Sequence, residues 1–177
     1  SRPLEEIRRN FKAKWRGHLN KGERGNLEIL SDIDGDIIAE FLEGHARLLS
    51  ERQFETSVSS EFLCVFQESL PIDGKMTAFL ARYNGETVGS VLMATYGDYA
   101  EYLAGNTSPE GRRMNAGQVL LWHAIVEAKK RGLQKLDLGG MDDVLTPKGI
   151  YKFKEGLGGT PYRLAPEIEA GGDTIRG

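Results

Sequence analysis

The sequence is poor in the residues that build disulfides and metal sites. It contains a single cysteine, Cys64, and three histidines scattered over 177 residues. One cysteine cannot form an internal disulfide, and so few sulfur and imidazole ligands argue against a structural zinc site. We therefore predict no metal site and a reducing, cytoplasmic setting.

Long apolar runs and targeting signals are also lacking. No stretch of about 18 apolar residues occurs, so no segment is predicted to span a membrane, and no signal-peptide pattern is visible. With 40% apolar and 28% charged residues, the composition is that of one globular domain. The chain begins with Ser1-Arg2-Pro3 rather than methionine, from which we expect a part of a longer protein.

Positive charge is concentrated at the N-terminus. Residues 1–24 contain eight basic and three acidic side chains, a net charge of +5 in a chain whose total is −3. One interpretation is the solvated face of a helix. The other is a surface for a phosphate-rich partner such as tRNA, a nucleotide-linked substrate or an anionic membrane surface. Composition alone leaves both interpretations open.

Hydrophobic periodicity predicts helices and strands in a mixed order. Asn84-Gly85 is a strong two-residue hairpin signal between two of the strands, and Ser59 or Ser60 is the expected cap of the third helix. The order predicts an α/β (α+β) fold with a mixed sheet of about six strands and helices on both faces. The first predicted elements, in chain order, are a helix over residues 3–25, a strand at 26–30, and helices over 35–53 and 59–71. They are followed by strands at 77–83, 86–96 and 99–105, a helix over 117–132, a strand at 133–141, a helix over 149–158 and a last strand at 160–165.

The loop before the helix over residues 117–132 has the composition of an anion site. The first N–H groups of a helix have no partner within the helix, and the helix dipole favours a negative charge there. Arg112, Arg113, Asn115 and Gly117 are therefore candidate donor- or phosphate-binding residues. The alternative interpretation is a plain loop that leads into a helix.

Two levels of family resemblance follow from these segments. Residues 26–164 resemble a GNAT-type acyltransferase domain, in which "RRMNAG" (112–117) matches the pyrophosphate loop with Asn115 where the family has its first glycine. Asn tolerates the left-handed backbone that such a glycine adopts. The segments "KAKWRGHLNKGERGNLEI", "YLAGNTSPEGRRMNAGQVLLWHAIVEAKKRGLQKLDLGG" and "GIYKFKEGLGG", in this order, resemble the Fem-type (FemAB family) aminoacyltransferases.

The Fem-type resemblance implies a function in cell-wall synthesis. These enzymes transfer an aminoacyl group from aminoacyl-tRNA to an amine of a peptidoglycan precursor, and they usually contain two GNAT-like halves, of which this chain resembles the second. We expect a basic N-terminal helix over residues 1–25, a GNAT-like domain over 26–166 and a flexible tail over 167–177. The implied partners are tRNA, a peptidoglycan precursor and a second GNAT-like domain, with peripheral contact to the inner membrane face.

The resemblance also assigns candidate site residues. It implies that Phe153 and Lys154 lie near the donor, where Lys154 neutralises a phosphate or the developing oxyanion and Phe153 stacks on the terminal adenine, a contact worth about 1–3 kcal/mol. Asp137 ends a strand beside the donor region, and Asp142 or Asp143 just beyond it is a candidate proton acceptor. The alternatives are a short amphipathic helix with packed aromatic residues and solvated lysines, and aspartates that only form turns.

The N-terminal helix carries the candidates for acceptor binding. By resemblance, Lys12, Lys14 and Arg16 contact phosphates of the acceptor, while Trp15 between them is expected to pack in the core.

Three functions stay open at this point. The first is the Fem-type transfer, for which no cofactor is firmly predicted because aminoacyl-tRNA is the donor substrate. The second is a coenzyme A-dependent N-acyltransferase that uses acetyl-CoA. The third is a non-catalytic binding half whose partner domain supplies the chemistry.

Overall fold

The computed structural model describes residues 2–52 and 59–163. Its elements, in chain order, are α1 (Leu4–Asn10), α2 (Ala13–Gly22), β1 (Glu28–Asp32), α3 (Asp36–Arg52), α4 (Ser60–Ser69), a short 3₁₀ turn (Ile72–Gly74), β2 (Thr77–Tyr83), β3 (Glu86–Tyr96), β4 (Tyr99–Thr107), α5 (Pro109–Arg113), α6 (Ala116–Lys130), β5 (Lys135–Asp137) and α7 (Lys148–Glu155).

The five strands form one mixed sheet in the order β1-β2-β3-β4-β5. The first three pairings are antiparallel, and β4 pairs with β5 in parallel. Asn84 and Gly85 both have positive φ, 51° and 84°, which is the backbone of the predicted two-residue hairpin. The predicted meander of three strands is therefore confirmed, with β1 added at its edge.

The predicted sixth strand is wrong in the part that the structure describes. Residues 160–163 have no regular structure, and residues 164–165 lie outside the described residues. Pro161 has no N–H to donate to a neighbouring strand. The hydroxyl of Tyr162 donates instead to the carboxylate of Asp137, so a side chain rather than the backbone attaches this segment to the sheet.

The predicted single N-terminal helix is two helices. Phe11 and Lys12 have extended backbone, with ψ of 139° and 143°, and they separate α1 from α2. The N–H of Lys12 donates to the carbonyl of Gly156 at 2.8 Å, outside its own helix. The guanidinium of Arg16 donates to the carbonyls of Arg9 and Phe11, which closes the end of α1. Tertiary hydrogen bonds therefore override the helical periodicity at this point.

Helices cover both faces of the sheet, as predicted. On one face α1, α2 and α6 surround a core that includes Trp15, Leu19 and Leu120. On the other face α3 and α4 pack over Leu63 and Leu80. The side chain of Ser59 accepts from the N–H of residue 62 and caps α4, which confirms one of the two expected caps. No helix within residues 2–52 and 59–163 has the length and apolarity needed to cross a membrane.

The segment between β4 and α6 contains a short helix that the sequence analysis read as loop. Ser108 caps α5 by accepting from the N–H of Gly111, and Pro109 occupies its first turn. A Cβ on Gly111 would lie 2.9 Å from the carbonyl carbon of Val88 and closer still to its oxygen. Glycine at this position therefore lets α5 rest directly on the β3 backbone.

Candidate active site

Strands β4 and β5 pair briefly and then separate. Their parallel register covers residues 99–101 against 135–137. Leu103 has no register partner on β3, because Leu92 faces Ala104 and Met93 faces Tyr102. This β-bulge bends β4 at the point where its pairing with β5 ends. We call the place where this pairing stops, between β4 and residues 138–140, the opening; it lies at the carboxyl ends of two parallel strands, where open α/β sheets bind ligands.

The ammonium of Lys154 lies at this opening. Its Nζ donates to the carbonyl of Gly140 at 2.8 Å. A Cβ built on Gly139 would lie 3.8 Å from this Nζ and 3.8 Å from the carbonyl oxygen of Tyr102 on β4. Burial lowers the pKa of Lys154, and the negative charge of Asp137 partly opposes this effect. The structure thus brings a half-buried cation to the place where β4 and β5 part.

Asp137 ends β5 beside this lysine. Its Oδ1 accepts from the N–H of Gly139 at 2.8 Å, and its Oδ2 accepts from the hydroxyl of Tyr162. The hydrogen bond to Asp137 raises the pKa of Tyr162. The sequence analysis missed Tyr162, because no local pattern links a tyrosine with an aspartate 25 residues earlier.

A second tyrosine that the sequence analysis missed, Tyr102, lies on β4 beside the opening, with its side chain packed against the core. Burial raises the pKa of Tyr102 to about 12, so its phenol stays neutral at physiological pH. Its ring covers Gly105 on the same strand, since a Cβ on Gly105 would lie 2.8 Å from the Tyr102 Cζ. The alternation of side chains along β4 weakly predicts that Tyr102 faces the core, but it does not indicate a role for this residue.

The side chain of Phe153 on α7 packs against the start of α6. A Cβ on Gly117 would lie 3.5 Å from the Cε2 of Phe153, so the ring rests on the first turn of α6. The ring centroid is 5.9 Å from that of Trp15. Phe153 is half-buried, whereas Trp15 is 4% exposed and packs in the core as expected.

Asn115 is the residue that turns the chain into α6. It has left-handed backbone, with φ of 60°, and its carbonyl accepts from the N–H groups of Gln118 and Val119. Asparagine is one of the residues that adopt this conformation at low cost. The loop therefore keeps the turn expected of a glycine, and the N–H groups of Ala116 and Gly117, which precede Gln118 in α6, have no acceptor within the helix by their position.

The two loop arginines contact their own loop. Arg112 donates to the carbonyl of Thr107 at 2.7 Å, and Arg113 pairs with Glu110. Both side chains are exposed. Anion binding by either arginine would require these contacts to be exchanged.

The three basic candidates of the N-terminal helices are not brought to one point. Lys12 pairs with Glu155 of α7 at 2.8 Å, and Arg16 closes the end of α1. Lys14 lies exposed on α2. Only Lys12 is attached directly to the helix that carries Lys154.

Asp142 has the contacts of a turn-forming residue. Its Oδ1 accepts from the N–H groups of Val144 and Leu145 at 2.8 and 2.7 Å, and its own N–H donates to Thr146. The hydrogen bonds from Leu145 and Val144 lower the pKa of Asp142, which makes it a weaker proton acceptor. This geometry matches the alternative interpretation of a turn. Within residues 2–52 and 59–163 no three or more His, Cys, Asp or Glu side chains form a group that could hold a metal ion.

A mixed sheet whose last two strands are parallel and pair only briefly, with helices on both faces and a cation where the pairing stops, is the architecture of the GNAT fold. The sequence matches the Acetyltransferase (GNAT) domain over residues 7–155. This match covers most of the chain, and the chain belongs to the GNAT family. The GNAT fold expected from the sequence is confirmed.

Solved structures add fold relatives of two kinds. FemX superimposes with a TM-score of 0.72 at 15% identity, over 89% of this chain and 56% of that one. An aminoglycoside acetyltransferase from an uncultured soil metagenomic sample in complex with sisomicin gives 0.59 at 15% identity, over 81% and 94%. A predicted acetyltransferase with acetyl-CoA from Clostridium acetobutylicum gives 0.55 at 19% identity, over 80% and 96%.

These identities show a shared fold and no more. The chain spans a little over half the length of FemX, whereas it matches nearly the full length of the two acetyltransferases. No functionally curated protein matches the sequence.

Proposed function

We propose that this domain transfers an aminoacyl group from aminoacyl-tRNA to an amine of a peptidoglycan precursor. The proposal is supported by the three Fem-type segments and by the likeness to FemX in fold. The observation that carries it is the ammonium of Lys154 at the opening between β4 and β5, bonded to the Gly140 carbonyl. A cation fixed there can act on an ester that enters between the strands.

The reaction needs little from the protein beyond alignment and charge stabilisation. The neutral acceptor amine attacks the ester carbonyl, and a C–N bond forms while the carbonyl oxygen becomes an oxyanion. The C–O bond to the terminal ribose then breaks, and the proton that the amine loses balances the proton that the ribose hydroxyl gains. Lys154 donates to the oxyanion, the kind of interaction that lowers the barrier most in acyl transfer.

The proposal assigns the donor RNA to the features that surround Lys154. The half-buried ring of Phe153, which rests on Gly117 in the first turn of α6, is proposed to stack on the terminal adenine. The N–H groups of that turn, with Arg112 and Arg113 nearby, suit a phosphate. Asp142 is the weakest part of this assignment, since its carboxylate is occupied by turn hydrogen bonds.

The acceptor is proposed to approach from the N-terminal helices. Lys14 is the most available contact for its phosphates, while Lys12 and Arg16 would first have to leave Glu155 and the end of α1. A second GNAT-like domain and peripheral contact with the inner membrane face belong to the same proposal.

A coenzyme A-dependent N-acyltransferase is the second candidate. It is favoured by the left-handed backbone of Asn115, which keeps the turn of the GNAT pyrophosphate loop although the glycine is absent. A third candidate is a domain that binds tRNA or precursor without transferring anything.

A transfer assay with two lysine variants tests these alternatives. The protein is incubated with a nucleotide-linked muropeptide and either charged total tRNA or acetyl-CoA. We expect transfer from tRNA, reduced at least about tenfold in Lys154→Ala because an oxyanion donor is lost. Lys152→Ala is the matched control, since Lys152 is an exposed lysine of the same helix, and its rate should equal that of the unmodified protein.

The same assay contains the outcomes that contradict the proposal. Transfer from acetyl-CoA alone would favour the second candidate. Absence of transfer, together with a melting temperature that total tRNA raises in a separate measurement, would favour the third. A normal rate in a folded Lys154→Ala protein would remove the lysine from the reaction.

A further inference from the structure

The turn after β5 is held from two sides. On one side the carboxylate of Asp137 accepts from the N–H of Gly139, and on the other side the Nζ of Lys154 donates to the carbonyl of Gly140, both at 2.8 Å. Gly139 has φ of 69°, a left-handed conformation that glycine adopts without steric cost. The turn therefore has a defined shape, and two charged side chains of opposite sign hold it.

We infer that Asp137 is a positioning residue that holds the turn and, by its negative charge, keeps the Lys154 cation at the opening between β4 and β5. The inference rests on the proposed function, because the cation matters only if the opening receives an acyl donor. Asp137 acts through Lys154 and Gly139, and no contact with substrate is assigned to it.

The charges around Lys154 identify Asp137 as its electrostatic partner. Burial lowers the pKa of Lys154 by disfavouring the charged amine, and Asp137 is the group whose charge raises that pKa again. Glu155, on the same helix, already pairs with Lys12. The other titratable groups of the surrounding elements are Tyr99, Glu101 and Tyr102 of β4, Lys135 of β5, Lys148, Tyr151 and Lys152 of α7, and Tyr162.

Tyr162 provides the means to separate charge from hydrogen bonding. Its hydroxyl donates to the Oδ2 of Asp137, so it contributes to the position of the carboxylate. Tyr162→Phe removes this hydrogen bond and leaves the negative charge in place. Asp137→Asn removes the charge and keeps an oxygen that can accept from Gly139.

Competitive acylation of lysines with acetic anhydride measures the effect without any substrate. Only the neutral amine reacts, so the rate plotted against pH gives a midpoint for each lysine in the digest. We expect the Lys154 midpoint of Asp137→Asn to move to lower pH, with several-fold faster labelling at a fixed pH below the midpoint. The Tyr162→Phe protein should keep the Lys154 midpoint, and Lys152 is the internal reference that stays the same in all proteins.

Two outcomes overturn the inference. Either the Lys154 midpoint is unchanged in Asp137→Asn, or Tyr162→Phe moves it by the same amount, which would assign the effect to the hydrogen bond. If Asp137→Asn does not show the circular dichroism of the folded protein, Asp137→Ser replaces it, because serine is also uncharged and can accept from Gly139.

The labelling result is independent of the transfer assay. If the midpoint moves but no aminoacyl-tRNA is used, the electrostatic role stands and the proposed function fails. If transfer occurs, its alkaline limit in Asp137→Asn should move in the same direction as the Lys154 midpoint. Transfer with an unmoved midpoint would retain the function and reject the role of Asp137.

Discussion

Substitution of Gly156 with alanine tests how closely α7 is docked on α2. Gly156 follows α7 and is buried against Trp15. A Cβ at this position would lie 2.9 Å from the Cγ and 3.0 Å from the Cβ of Trp15, with Cδ1 closer still. The backbone itself has φ of −65°, which alanine adopts freely, so any destabilisation must come from packing.

The expected magnitude follows from the room around the indole. Carbon atoms in contact prefer a separation of about 3.5–4.0 Å, so the new methyl overlaps Trp15 by roughly half an ångström or more. Trp15 is 4% exposed, and the ring centroid of Phe11 lies 4.5 Å from its own. Because the indole has no free space to enter, we expect the loss of about 1–3 kcal/mol that overpacking of a core causes.

Thermal unfolding provides the assay, and Gly17→Ala is its matched control. Gly17 lies within α2, two residues from Trp15, and a Cβ there would meet nothing within 4 Å. Alanine in a helix interior is favoured over glycine by about 0.5–1 kcal/mol. At about 2–4 °C per kcal/mol for a domain of this size, Gly156→Ala should lower the midpoint by roughly 2–12 °C and Gly17→Ala should raise it by roughly 1–4 °C. Equal shifts, or a stabilised Gly156→Ala, would refute the close docking of α7 on Trp15.

Substitutions at two further positions test the loop and a surface contact. Asn115→Gly should leave the urea midpoint nearly unchanged, whereas Asn115→Ala should lower the free energy of unfolding by about 1–2 kcal/mol, the cost of left-handed backbone for a residue with a Cβ; equal stability of the two variants would contradict the turn. The hydrogen bond from Thr87, with the guanidinium of Arg82, lowers the pKa of Glu40. A carboxylate with a lowered pKa stabilises the fold above its unfolded value of about 4.3, and this stability is lost as the pH falls through the folded pKa. Glu40→Gln should therefore be less stable than the unmodified protein at pH 7, with a difference that shrinks below about pH 4, and a constant difference measured by urea unfolding would contradict the assignment.

Local chemistry explains the parts of the fold that were predicted from the sequence. The bounds of β2 and β3 match the structure, since alternation and the Asn84-Gly85 turn act within a few residues of each other. The cap of α4 at Ser59 has the same local origin. A Ser-Pro pair at residues 108–109 is also a helix-start signal, and α5 could have been predicted from it.

Long-range contacts explain what was missed. Apolar spacing continues without interruption through Phe11, and the helix stops there because Lys12 donates to Gly156 and Arg16 donates to the carbonyls that end α1. The position of Lys154 was inferred from resemblance to a family and not from its neighbours in sequence. The pairing of Asp137 with Tyr162 joins two segments whose local patterns give no reason to connect them.

The contacts of α7 give a physical reason why three separated segments together resemble one family. This helix belongs to the third segment, and residues at its C-terminal end contact the first and second segments. Gly156 accepts from Lys12 of the first segment, Phe153 rests on Gly117 of the second, and Lys154 holds the turn at Gly140. We therefore expect a change at the junction of α1 and α2 to alter the placement of the Lys154 cation through α7, without any contact between that junction and a substrate. For the same reason, loss of activity in a variant of Lys12 would not by itself identify a phosphate contact. A Glu155→Gln variant removes the partner of Lys12 and leaves the positive charge of Lys12 in place. Activity lost in this variant as well would be assigned to the placement of α7, and activity lost only in the Lys12 variant to acceptor binding.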